Sequence, residues 1–194
     1  MPAIDKLYAW LAGVPAPDAE RIVAAALEHA EPEYAERLYQ LLLARRREES
    51  WTVLVGRFGQ LDAKTRAQVA AERELFHAGI AGAMQVPSTE SRLGALAAFE
   101  TEPSPRLAYL LPSAIHDPTS RVRARGAELL VRTADAFLSQ PAPLPEQVEE
   151  LARYQAERTL LAKAAEEALR GLESHLRTEV VQVWMWFAAE VGPA

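Results

Sequence analysis

Part of this chain repeats itself at a fixed offset. Shifted by 31 residues, Phe76, Ile80, Ala83, Met84 and Pro87 fall on Leu107, Leu111, Ala114, Ile115 and Pro118, and Arg92, Ala95 and Phe99 fall on Arg123, Gly126 and Leu130. The apolar positions recur three and four residues apart, which places them on one face of a helix. A proline separates the two apolar runs of each copy, so the unit is helix, tight turn, helix. Such a hairpin cannot bury its apolar face alone and must stack on neighbours.

The rest of the chain carries the same period, and no segment shows sustained strand alternation. Ile4, Leu7, Tyr8 and Leu11 make a short first helix, ended by Gly13 to Pro17. Asp18 opens a second, which runs to about Ala30, and Pro32 suits the first turn of a third ending at Arg45-Arg46-Arg47. Ser50 is the expected N-cap of a fourth helix, with Trp51, Leu54, Val55 and Phe58; Gly59 ends it. Asp62 starts a stretch that reads as helical to Gln85, and helices follow at about 88–100, 105–116 and 118–138. The three prolines of 139–145 favour an extended spacer. From Glu146 to Glu190 the pattern is helical again, with a break expected at Gly171 and Ser174.

Leu110 to Leu130 resembles a HEAT repeat, through Asp117-Pro118 in the turn, Val122-Arg123, Ala127 and Leu130. The resemblance is weaker over 76–106, where Val86 replaces the aspartate, and faint over Asp62 to Ala70. It implies a single all-α domain over 1–194, a short right-handed α-solenoid of about eight to ten helices, with HEAT-like hairpins over about 76–137. It also implies that Asp117 and Arg123 make contacts between repeats, and that the chain works as a scaffold between proteins. HEAT-like DNA glycosylases show that such frames also bind DNA and do chemistry, which is the alternative reading. A third is a terminal piece of a longer solenoid, since neither end shows an obvious polar cap.

With no cysteine in 194 residues, disulfides, thiolate metal sites and cysteine nucleophiles are excluded. The N-terminus lacks the pattern of a signal peptide, and the most apolar run, Val180–Val191, is shorter than the roughly 20 residues a membrane span needs. The expectation is a cytoplasmic protein with no membrane partner. Net charge is −6, divided as −4 over 1–44, +3 over 45–134 and −5 over 135–194. An acidic chain argues against a dedicated nucleic-acid binder, although the basic middle keeps that reading open. Arginine outnumbers lysine, which stands only at 6, 64 and 163; with the abundant alanine this is a bacterial, GC-rich signature.

No motif points to catalysis, a cofactor or a metal. Glu74 and His77 share a helix face, but a di-iron bundle needs two such pairs and two further glutamates. His29, His77, His116 and His175 lie far apart. Gly56 to Gly59 and Gly79 to Gly82 are G-x-x-G strings that read as helix termination or close helix packing. Arg45-Arg46-Arg47 reads as a helix C-terminus with favourable dipole placement.

Two surfaces are candidates for binding a partner. Arg121, Arg125, Glu128 and Arg132 fall on one stripe of their helix, opposite Val122, Gly126, Ala127, Leu130 and Ala134. In the C-terminal helix Leu169, Leu172, Leu176, Val180, Val183, Trp184, Phe187 and Val191 form the face expected to dock. Val181, Met185 and Trp186 fall outside that face. Either helices from residues 1–60 cover them, or, as is expected here, they meet a second chain (a second copy of this one included) or a continuation of this one.

Overall fold

The computed structural model describes residues 3–14, 18–170 and 178–188. Among them stand eleven α-helices and no strand. They are α1 (Ala3–Gly13), α2 (Asp18–Leu27), α3 (Pro32–Arg45), α4 (Glu48–Gly56), α5 (Ala63–Ala71), α6 (Arg73–Gln85), α7 (Thr89–Thr101), α8 (Leu111–Ile115), α9 (Ser120–Leu138), α10 (Val148–Leu169) and α11 (Thr178–Ala188). The chain divides into two compact units, Met1–Ala98 and Phe99–Ala194, so the boundary falls inside α7.

The all-α class is as the periodicity predicts, and several boundaries differ. The stretch from Asp62 is two helices, since Glu72 leaves the helical region at φ −92°, ψ 73°. Asp62 does cap the first of them, accepting from the Thr65 amide at 2.8 Å. Ser50 is not an N-cap: α4 starts two residues earlier, and Ser50 lies buried in its first turn. The helix expected over 105–116 is a 3-10 turn, Pro105–Leu110, running into the five-residue α8, with Pro105 and Pro112 each opening one piece. The segment from Glu146 to Glu190 holds α10 and α11; Gly171, Leu172, Ser174, His175, Leu176, Glu190 and Val191 lie outside the described residues.

In the first unit α4 is the central helix, with Trp51, Leu54 and Val55 buried. The Trp51 indole N–H donates to the Val69 carbonyl at 3.0 Å, so burial leaves no polar atom of that ring unpaired. α6 lies directly against α4, and the Gly79 to Gly82 string makes this possible. A Cβ on Gly79 would lie 2.9 Å from the Trp51 carbonyl oxygen, and one on Gly82 would strike the Thr52 hydroxyl. The close-packing reading of that string is the one observed.

In the second unit α9 is the spine. Val122, Gly126, Ala127, Leu130, Ala134 and Phe137 are buried along one side. α8 packs on it, and a Cβ on Gly126 would come within 2.8 Å of the Ala114 Cβ. At its far end Phe137 stacks on Tyr154 of α10 at 4.6 Å and meets Phe187 of α11 at 6.4 Å. α11 therefore docks on α9 and α10 through Val180, Val183 and Phe187, all buried.

Arginines fasten helix ends in both units. Arg45 donates to the carbonyls of Leu11, Ala12 and Val14 at 2.7, 3.2 and 2.9 Å, closing the C-terminus of α1. Arg57 donates to Ala24 and Leu27 at the end of α2, both at 3.4 Å. Arg92 holds the Val86 and Pro87 carbonyls at 3.0 and 2.7 Å, and Arg123 holds those of Asp117 and Pro118, both at 2.8 Å. A helix leaves its last carbonyls without intrahelical partners and negative in potential. A planar guanidinium answers both needs at once, with several donors in one fork.

Candidate functional site

The stripe expected on α9 is present, and its charges are already engaged. Glu100 at the end of α7 pairs with both Arg125 and Arg132, and Arg125 also pairs with Glu128 at 2.6 Å. Arg132 lies 4.0 Å from Glu128. The four side chains form one neutral network, with Arg125 half-buried and Arg132 and Glu128 more exposed. Burial alone would raise the Glu100 carboxyl; the hydrogen bonds from Arg132 and Arg125 outweigh it and hold it below its ordinary value. Burial would likewise lower Arg125, and its bonds to Glu128 and Glu100 raise it instead. Arg121 is exposed one turn before. Sequence spacing places Arg121, Arg125, Glu128 and Arg132 on one helix but gives no sign of Glu100, which comes from another helix.

The two turn residues of the HEAT-like segment are both occupied locally. Asp117 is buried and accepts from the Thr119 amide at 2.7 Å, forming a side-chain turn ahead of α9. Arg123 closes the same turn from the other side through the two carbonyls named above.

On α11 the expected contacts separate. Met185 is 57% exposed, whereas Val181 and Trp186 are half-buried. Trp184, expected on the docking face, is 42% exposed, and this is a correction. Successive residues advance by about 100°, so Trp184 stands at the edge of the arc centred on Val180, Val183 and Phe187. The covering helices reach the centre of that arc and not its edge. The outward apolar surface is therefore Trp184 and Met185, flanked by Val181 and Trp186.

The arginine run does stand at the C-terminus of α3, and Arg45 has a further role there. Its side chain is 4% exposed and pairs with Glu20, 3% exposed, at 2.6 Å. The buried Ser50 hydroxyl donates to the same carboxylate at 3.0 Å. Burial pushes the Glu20 carboxyl up, but the bonds from Arg45 and Ser50 prevail and it titrates below its ordinary value. Arg46 turns the chain at φ 50° and pairs with Glu72 at 2.7 Å. Only the run of arginines was legible; its buried partner lies 25 residues away.

The first unit also contains a groove of about 620 Å³, lined by α2, α4 and the residues just after it, and the segment from Val86 into the first turn of α7. Nothing in the sequence pattern announces it. Among the described residues no group of three or more His, Asp and Glu side chains could hold a metal ion, and no helix is long and apolar enough to cross a membrane. No protein-family model matches the chain, and neither does any curated protein or solved structure.

Proposed function

We propose that this chain is a HEAT-like helical-repeat scaffold that binds another protein, with the hairpins of about 76–106 and 107–137 as consecutive repeats of a short right-handed solenoid. One observation carries the reading. Arg92 and Arg123, 31 residues apart, each bind the two carbonyls of their own hairpin turn, at positions that are also 31 apart. The repetition thus extends from side-chain identity to the bonds that shape the turn. Repeated hairpins of this kind work as binding frames because stacking presents the same helix of each repeat on one surface. The outward side of α9 is the partner surface in this reading, with its polar groups held in place by Glu100 before any partner arrives.

The nucleic-acid alternative rests on the basic middle of the chain. Arg125 and Arg132 there are neutralised by Glu100 and Glu128, and Arg57, Arg92 and Arg123 are spent on carbonyls, which weakens it.

The test is Arg121→Glu with Arg132→Glu, leaving Arg125 to pair with Glu100. Crosslinking in the source cells followed by mass spectrometry identifies what the parent holds. The double variant is expected to melt within a few degrees of the parent and to lose that partner. A folded variant that keeps the same partner would overturn the assignment of the surface. A duplex-DNA titration at two salt concentrations decides the alternative, since phosphate binding falls steeply with salt.

A further inference from the structure

We draw no further inference here: the strongest candidate, the apolar patch that Leu144 and Val148 expose where the proline-rich segment 139–147 enters α10, carries nothing, because nothing in the structure shows what covers it.

Discussion

Arg45 ties three carbonyl oxygens and a carboxylate to one side chain, an arrangement that lysine cannot reproduce with a single ammonium. Replacing it with alanine leaves Glu20 buried without its counter-charge, a change that costs about 3–5 kcal/mol when an ion pair is this well enclosed. Arg45→Lys should recover only part of that loss. The pH dependence gives an independent check. In the parent, Glu20 titrates below its ordinary value of 4.5, so its contribution is present at neutral pH and is lost as the pH falls through the folded value. In Arg45→Ala the hydrogen bond and the charge are gone while burial remains, and burial raises the carboxyl. Protonation then relieves the variant. The gap in unfolding free energy between parent and variant, measured by urea titration, should therefore be widest near pH 7 and narrow toward pH 4. A gap that is constant with pH would mean that Arg45 acts through its carbonyl bonds alone. None of this was legible in the sequence, where Arg45 reads as one of three arginines at a helix end. Glu20 stands in the first turn of α2, 25 residues before it. Partner and distance come only from the packing of α1, α2 and α3.

At the scale of elements, helix existence was legible and helix ends were less so. An apolar period of 3.6 is a property of many residues together, so α9 is evident from its stripe. The break at Glu72 depends on one residue's backbone angles, within a stretch that keeps its helical pattern across the gap. The 3-10 turn before α8 follows from Pro112, which lacks the amide that an α-helix running on from Pro105 would need to bond the Ala108 carbonyl. The turns that Arg92 and Arg123 close give a prediction. Arg92→Ala and Arg123→Ala each remove two charge-assisted bonds to carbonyls, and each should destabilise its unit by about 1–3 kcal/mol. Similar losses in the two variants, read from denaturant midpoints at constant slope, would follow from equivalent turns. A loss in one and none in the other would remove the equivalence on which the repeat rests. α6 supplies a sharper case. Gly82→Val would push a branched side chain into Thr52 on α4, and overpacking of this kind costs about 1–3 kcal/mol.

For the molecule as a whole, the sequence reading located repetition and charge but not how much apolar surface stays outside. α11 shows why. Its residues are apolar almost all round, and periodicity ranks them by angle without fixing the width of the arc that neighbouring helices cover. α9 and α10 bury Val180, Val183 and Phe187 and leave Trp184 and Met185 outward. Two large adjacent apolar side chains on one helix form the kind of patch that a second chain covers, and a second copy is the proposal made here for it. Light scattering of the parent should then give a mass above that of one chain. Trp184→Gln with Met185→Glu should bring the mass to one chain and leave the melting temperature nearly unchanged, because neither side chain belongs to the buried arc. Val183→Asp is the contrasting variant: it places a charge among Val180, Phe187 and α9, and it should unfold the second unit without regard to concentration. If the parent already has the mass of one chain, the self-association proposal falls. If instead the Trp184 and Met185 changes melt the protein as Val183→Asp does, the outward pair belongs to the core.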